Sequence, residues 1–155
     1  MAMEFSERFE NFITAITKTY KTIQKIKLSE AERIGLKGNQ VMYMYYLGKN
    51  QEGLTPIELS KLCVEDKSAV SRAIVELTNR GFVESYADNS KQKYRMKIVL
   101  TEQGRSINTQ INKAIAIAVD KASKDLTESE RENFYNVFYQ ISGNLEDMNS
   151  SYSEK

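Results

Sequence analysis

The sequence predicts a mainly α-helical fold that contains one small β-hairpin. Apolar residues recur at intervals of three and four over most of the 155 residues, which is the spacing of one face of a helix. In residues 94–100 the large apolar side chains instead fall at every second position, which is typical of a half-buried strand. A polar, turn-forming segment at 87–93 separates this strand from another predicted at 82–86. The predicted order is helix, helix, short helix, helix, strand, strand, helix, helix.

The first two predicted helices are rich in large apolar side chains. The first has a single apolar stripe over about six turns, formed by Phe5, Phe9, Phe12, Ile13, Ile16, Tyr20, Ile23 and Ile26. The second, at 40–47, carries a dense group of aromatic, methionine and valine side chains. Gly48 and Gly53 then bracket a loop.

The middle of the chain contains two closely spaced helix starts. In Thr55-Pro56-Ile57-Glu58, the threonine can cap, the proline suits the first helical position, and the glutamate completes a capping box. This helix is predicted to be short. Asp66 offers a second cap, from which a new helix runs to about Arg80, where Gly81 ends it.

Two further helices are predicted after the hairpin. Thr101 caps the first, whose stripe comprises Ile107, Ile111, Ile115 and Val119. Thr127 and Glu130 form a capping box for the second, whose apolar positions are Phe134, Val137, Phe138, Ile141, Leu145 and Met148. The tail beyond Asn149 is expected to be disordered.

Composition favours an ordinary cytoplasmic protein. Apolar residues make up 41% and charged residues 28% of the chain, and no apolar run reaches the roughly 18 residues of a membrane span. The N-terminus lacks a secretory signal pattern, and the single cysteine cannot form an internal disulfide. The net charge of +1 conceals a gradient, because residues 67–97 hold 7 basic and 3 acidic side chains. This asymmetry indicates a polyanionic partner, although an ordinary solvated surface would also account for it.

Two helices joined by a short turn and followed by a hairpin with a basic loop describe a winged helix-turn-helix. In the second helix, Val70, Ala73, Ile74 and Leu77 fall on one side and are expected to pack inward. The opposite side presents Ser68, Arg72, Val75, Glu76 and Asn79, with Ser71 on its flank. Small hydroxyls allow close approach to a DNA groove, arginine suits the two acceptors of guanine, and valine can contact a thymine methyl. Alternatively, an exposed valine and a solvated arginine have no binding role.

The hairpin adds a second basic element. Lys91, Lys93 and Arg95 alternate, so two or three of them can point to one side and contact phosphates or the minor groove. Lysines at a sheet edge can instead serve only to prevent strand pairing.

The segments "LTPIELSKLCVEDKSAVSRAIVELTNRGFVE" and "YRMKIVLTEQGR" resemble those of MarR-type (multiple antibiotic resistance) transcriptional regulators, and the resemblance covers roughly residues 5–148. It implies a homodimer built from the first and the last two helices, DNA binding by the helix at 66–80, and modulation by a small phenolic or other aromatic ligand. One departure is that Asp88 is followed by Asn89 and Ser90, where the family often has aspartate-x-arginine. Lys91 or Lys93 can substitute for that arginine, but lysine fits a narrow minor groove less readily.

The resemblance also implies a domain plan and a set of site residues. Residues 1–36 and 101–148 are expected to dimerise, 37–100 to form the DNA-binding lobe, and 149–155 to form the tail. The expected function is a cytoplasmic repressor or activator that binds a palindromic operator in double-stranded DNA. The predicted DNA-binding residues are Thr55, Lys67, Ser68, Ala69, Ser71, Arg72, Val75, Lys91, Lys93 and Arg95.

The sequence also bears on ligand binding, redox sensing and catalysis. Tyr20, Tyr43, Met44 and Tyr46 are candidates for an effector pocket, with core packing as the alternative. Cys63 is interpreted as a buried structural cysteine rather than a redox sensor. The absence of histidine argues against a zinc site and against general-base catalysis, so no cofactor, metal or enzymatic activity is expected. The alternative function is a winged-helix module that binds proteins without reading DNA.

Overall fold

A computed structural model describes residues 4–88 and 95–153, and it confirms the predicted fold class. The chain contains two compact units, Met1–Ala114 and Ile115–Lys155. The first comprises α1 (Phe5–Ile34), α2 (Gln40–Lys49), α3 (Pro56–Cys63), α4 (Lys67–Asn79), β1 (Val83–Asp88) and β2 (Arg95–Leu100). It also includes the first part of α5 (Glu102–Ala122), while the second unit holds the end of α5 and all of α6 (Glu128–Ser153).

The core of the first unit is built from α2, α3, α4 and the hairpin, together with the end of α1 and the first part of α5. Its fully buried side chains include Tyr43, Met44, Leu47, Leu59, Val70, Leu77, Val83, Ile98 and Ile111. The dense apolar group of α2 therefore lies at the centre of the unit. Three of the four residues predicted to face inward from α4 are buried, and Ile74 is partly buried.

The two strands pair antiparallel, from Val83 opposite Leu100 to Asp88 opposite Arg95. β1 therefore runs two residues beyond its predicted end at position 86. In this added part, Asp88 Oδ2 lies 3.2 Å from Lys97 Nζ and forms an ion pair across the strands. Tyr94 lies outside the described residues. Gly53 precedes Leu54, which pairs with Ile98 as a bridge at the side of the hairpin. A Cβ at Gly53 would lie 2.8 Å from the Ile98 carbonyl oxygen, and its φ of +88° also favours glycine.

Thr101 caps α5 as predicted, because its Oγ1 accepts a hydrogen bond of 3.0 Å from the Gly104 N–H. A Cβ at Gly104 would lie 1.9 Å from the Phe82 carbonyl oxygen, so the start of α5 rests directly on the backbone before β1. This close approach explains why a glycine follows the strand end and the capping threonine.

The N-terminal helix is longer than its apolar stripe predicted. Ala31 and Ile34 are buried beyond the last stripe position, Ile26, and the helix ends at Gly35 in the left-handed conformation. The stripe itself is largely solvent-exposed in a single chain, with exposed side chains at Phe5, Phe9, Phe12, Ile13, Ile16, Tyr20, Ile23 and Ile26.

In the second unit, Thr127 and Glu130 form the predicted capping box. The Thr127 N–H donates to Glu130 Oε2 at 2.7 Å, and the Glu130 N–H donates to Thr127 Oγ1 at 3.2 Å. No residue of α6 is buried. The expectation of a disordered tail from residue 149 is wrong as far as Ser153, because α6 continues to that residue. The Ser150 hydroxyl donates a hydrogen bond to the Glu146 carbonyl, and the Ser151 hydroxyl donates one to the Met148 carbonyl. No proline or glycine interrupts the helix there.

Candidate nucleic-acid interface

The helix-turn-helix begins with the predicted capping box at Thr55. The Thr55 N–H donates to Glu58 Oε2 at 2.7 Å, and the Glu58 N–H donates to Thr55 Oγ1 at 3.2 Å. The hydrogen bond from the Thr55 backbone lowers the pKa of Glu58, so this carboxylate stays charged and the cap stays intact near neutral pH. Pro56 occupies the first turn, as predicted. The start of α3 is therefore firmly fixed.

The turn between α3 and α4 contains only residues 64–66. Val64 adopts the left-handed conformation with φ 54°, and 91% of it is exposed. Ser60 Oγ donates to the Glu65 carbonyl at 2.6 Å, and the Glu65 N–H donates to the Ser60 carbonyl at 3.0 Å. Asp66 then caps α4 by accepting from the Ala69 N–H at 2.7 Å. These bonds set the angle at which α4 leaves α3.

The N-terminal half of α4 presents the predicted reading residues to solvent. Lys67, Ser68, Ser71, Arg72 and Val75 are exposed. Ala69 is partly buried beside them. Val75 is 59% exposed although its neighbours Ile74 and Glu76 are partly buried, so its isopropyl group faces outward.

Arg72 is held against the surface of its own helix. Its Nη1 donates a hydrogen bond to Ser68 Oγ, one turn earlier. This contact orders the guanidinium above the first two turns of α4, while the arginine remains exposed. An ordered guanidinium loses less conformational entropy when it binds a planar pair of acceptors.

The C-terminal half of α4 is tied to the rest of the first unit. Glu76, placed on the outer side by helical winding, is partly buried and accepts hydrogen bonds from Lys37 Nζ at 2.8 Å and Gln40 Nε2 at 2.9 Å. These partners lie 39 and 36 residues away in the sequence, and no local pattern signals the contact. The outer side of α4 is therefore divided into a free N-terminal half and an attached C-terminal half.

Thr55 and Arg95 are brought together on the hairpin side of the helix-turn-helix. Both line a cleft of about 540 Å³, together with Pro56, Ile57, Glu58, Lys61 and Met96. Lys61 was not predicted from the sequence, and its exposed position on α3 adds a second basic side chain, beside Arg95, at this cleft. The other two predicted wing cations, Lys91 and Lys93, lie outside the described residues.

The four predicted effector residues do not share a described cavity. Tyr43 and Met44 are fully buried, Tyr46 is partly buried, and Tyr20 is 61% exposed on α1. The Tyr43 hydroxyl is buried without a hydrogen-bond partner among the described residues, and burial raises its pKa to about 12. A second cleft of about 480 Å³ is lined by Leu47, Gly48, Gln51, Val99, Leu100, Arg105, Asn108 and Thr109, none of them predicted.

Cys63 is partly buried at the end of α3, and burial raises the pKa of its thiol to about 11. The thiol is therefore protonated near neutral pH, which is the unreactive form. Within residues 4–88 and 95–153, no group of three or more histidine, cysteine, aspartate or glutamate side chains is placed to hold a metal ion. None of the described helices is long and apolar enough to cross a membrane.

Residues 34–91, which span the helix-turn-helix and β1, match the model of the MarR family. The resemblance predicted from the sequence is therefore confirmed. No curated protein shows significant sequence similarity to the chain.

The MarR-type fold extends well beyond that segment. A putative MarR family regulator from Listeria monocytogenes, complexed with a 26mer DNA, has a TM-score of 0.77 and 21% identity, over 87% of this chain and 89% of that one. The S. aureus MepR–DNA complex has a TM-score of 0.74 and 18% identity, over 92% and 96%. A mutant MarR from E. coli, complexed with operator DNA, has a TM-score of 0.71 and 16% identity, over 90% and 99%.

Proposed function

We propose that the protein is a sequence-specific, double-stranded DNA-binding transcriptional regulator that acts as a homodimer on a palindromic operator. The observation that carries this proposal is the free N-terminal half of α4. It exposes two serine hydroxyls, an ordered arginine and an outward-facing valine on one capped helix. A helix with these side chains on its first two turns suits the major groove, where each base pair presents a distinct set of donors, acceptors and methyl groups.

Each exposed residue has a defined role in this proposal. Arg72 pairs with the two acceptors of guanine, Ser68 and Ser71 bond base edges or phosphate, and Val75 contacts a thymine methyl. Thr55, Lys67 and Ala69 lie where the backbone of the duplex would pass the starts of α3 and α4. Lys91, Lys93 and Arg95 bind the flanking phosphates from the hairpin, which gives affinity without sequence information.

The proposed homodimer is supported by two sets of solvent-exposed apolar side chains. The stripe of α1 is exposed from Phe5 to Ile26. In the second unit, α6 exposes Phe134, Tyr135, Val137, Tyr139, Leu145, Met148 and Tyr152. Contiguous exposed apolar surface of this extent marks an interface. A second copy of the chain is the proposed partner, and its twofold symmetry would match half-sites about one helical turn of DNA apart.

Modulation by a small phenolic or other aromatic ligand is part of the proposal. Of the four predicted residues, Tyr20 and Tyr46 have surface available for a ligand, whereas Tyr43 and Met44 belong to the core. A ligand that contacts all four would have to reach two side chains that are buried in this structure.

Selection of binding sites from random duplex DNA with the purified protein tests the proposal directly. We expect recovery of a palindromic motif, and an affinity that falls steeply with salt concentration. The alternative, a winged-helix module that binds only proteins, predicts no enriched motif and no salt-sensitive binding to any duplex. Either of those two results would overturn the DNA-reading proposal.

A further inference from the structure

The C-terminal half of α4 is attached to the corner that joins α1 to α2. Gln40, the first residue of α2, is only 1% exposed. Its Oε1 accepts the Lys37 backbone N–H at 3.0 Å, and its Nε2 donates to Glu76 Oε2 at 2.9 Å. Both ends of this buried amide are therefore used. Loss of the Glu76 acceptor would leave a buried donor unpaired, which costs more than the loss of an exposed hydrogen bond.

The second carboxylate oxygen of Glu76 binds a cation. Lys37 Nζ lies 2.8 Å from Glu76 Oε1, and its hydrogen bond is the main cause of the lowered pKa of Glu76. The carboxylate is thus held in its charged form on a helix that is otherwise suited to a polyanion. One turn after Glu76, at the residue that follows α4, Arg80 lies beside the same corner. A Cβ at Gly35 would be 3.7 Å from Arg80 Nη2, and the guanidinium stacks on Phe82 at 4.7 Å.

This attachment joins two elements with different tasks. The corner at residues 35–40 directly follows α1, whose apolar stripe is the proposed dimer surface in this unit. The attached residue Glu76 lies one turn after Arg72 and next to Val75, which are proposed to read bases. A change in the angle between α4 and the corner would therefore change the separation of the two reading helices in a dimer.

We propose that Glu76 is a positioning residue, which fixes α4 to the 35–40 corner through Gln40 and Lys37 and thereby sets the operator half-site spacing that the dimer accepts. The inference rests on the proposed DNA-binding function. Glu76 itself contacts no base in this proposal. Its effect is on which arrangements of two half-sites are bound, rather than on which bases are preferred within one half-site.

The test uses the duplex recovered by selection with the wild-type protein, and two derivatives with one base pair inserted or removed at the centre. Each derivative changes the half-site separation by about 3.4 Å and the relative rotation by about 35°. For each protein, the ratio of its affinities for the original and the altered spacings is measured. We expect Glu76→Gln to reduce this ratio by about tenfold relative to wild type. The loss of one charge-assisted hydrogen bond shifts an equilibrium constant by about this factor.

Lys37→Met is the second variant, because it leaves the buried Gln40 amide paired with Glu76. We expect a smaller reduction of the same ratio. Because Gln40 keeps its partner, we expect Lys37→Met to fold even if Glu76→Gln is too unstable to measure. Glu65→Gln is the matched control: it removes the same charge from an exposed site beside α4. It should alter the affinity for all three duplexes equally and leave the ratio unchanged.

Unchanged spacing ratios in both Glu76→Gln and Lys37→Met, with normal thermal unfolding, would overturn the inference while leaving the DNA-binding function intact. Equal reduction of the ratio by Glu65→Gln would also overturn it, since the effect would then be one of charge alone. Failure of the wild-type protein to select any duplex would instead contradict the proposed function itself.

Discussion

Val64 occupies a backbone conformation that β-branched residues rarely adopt, and it gains no burial in return. We expect Val64→Asn to stabilise the protein by about 0.5–1 kcal/mol, because asparagine tolerates the left-handed region where valine is strained. Thermal unfolding measured by circular dichroism tests this. Val75→Asn is the matched control, since it replaces an exposed valine in regular helix and should give no stabilisation. A lower midpoint for Val64→Asn than for wild type would contradict the expected strain.

Arg72 and Arg95 are both exposed arginines on the proposed DNA-binding surface. We expect their replacement by alanine to affect DNA binding in different ways. Arg72→Ala should cost about 1–3 kcal/mol on the selected duplex and relax the preference at one base pair. Arg95→Ala should weaken all sequences alike and reduce the slope of log K against log salt by about one. Binding to a set of single-base operator variants at several salt concentrations separates these outcomes. If both variants lost affinity uniformly, the assignment of Arg72 to base reading would be wrong.

At the scale of secondary-structure elements, the junction between the hairpin and α5 depends on Gly104. We expect Gly104→Ala to destabilise the protein by about 1–3 kcal/mol, since the added methyl would overlap the Phe82 carbonyl oxygen and force the backbones apart. Gly143→Ala in α6 is the control, because a Cβ there meets nothing within 4 Å. It should stabilise the helix by about 0.5–1 kcal/mol. Chemical denaturation of the two variants checks the contrast, which would fail if both changes had the same sign.

The elements whose ends depend on local hydrogen bonds were predictable from the sequence. Thr55, Asp66, Thr101 and Thr127 all cap where the sequence predicts, because a capping side chain bonds an N–H only two or three residues away. The end of α1 was not predictable from its stripe. Its last turns are fixed by the burial of Ala31 and Ile34, which is a property of the assembled unit.

In the candidate site, too, the features that depend on local geometry were predictable from the sequence, and the long-range contacts were not. Helical winding alone identified which residues of α4 face outward, because a capped helix of 13 residues has fixed geometry. It could not detect that Glu76 bonds Lys37 and Gln40, since this contact joins positions far apart in the chain. It also could not distinguish core from pocket among the tyrosines of α2. An aromatic residue has the same helical spacing in either role, and only the assembled core decides.

At the scale of the whole molecule, the distribution of charge and apolar surface separates two tasks. Residues 67–97 carry the excess of positive charge, whereas residues 120–155 hold 4 basic and 8 acidic side chains. The acidic segment includes α6, which also exposes a row of aromatic and aliphatic side chains. A polyanion is attracted to the first segment and repelled by the second. The apolar side chains of α6 are therefore better suited to a protein surface than to DNA.

The proposed homodimer can be tested by the mass of the protein in solution. The wild-type protein should have a mass close to twice 17.8 kDa in sedimentation equilibrium, and Ile16→Glu should shift it toward the monomer. Ile16 lies in the middle of the exposed stripe of α1, so a glutamate there would have to lose its hydration without a partner. Thr14→Glu, on the opposite side of the same helix, introduces the same charge and should leave the dimer intact. Because each half-site contributes only part of the affinity, operator binding should fall with the dimer in Ile16→Glu and persist in Thr14→Glu. A wild-type mass of 17.8 kDa at micromolar concentration would contradict both the dimer and the palindromic operator.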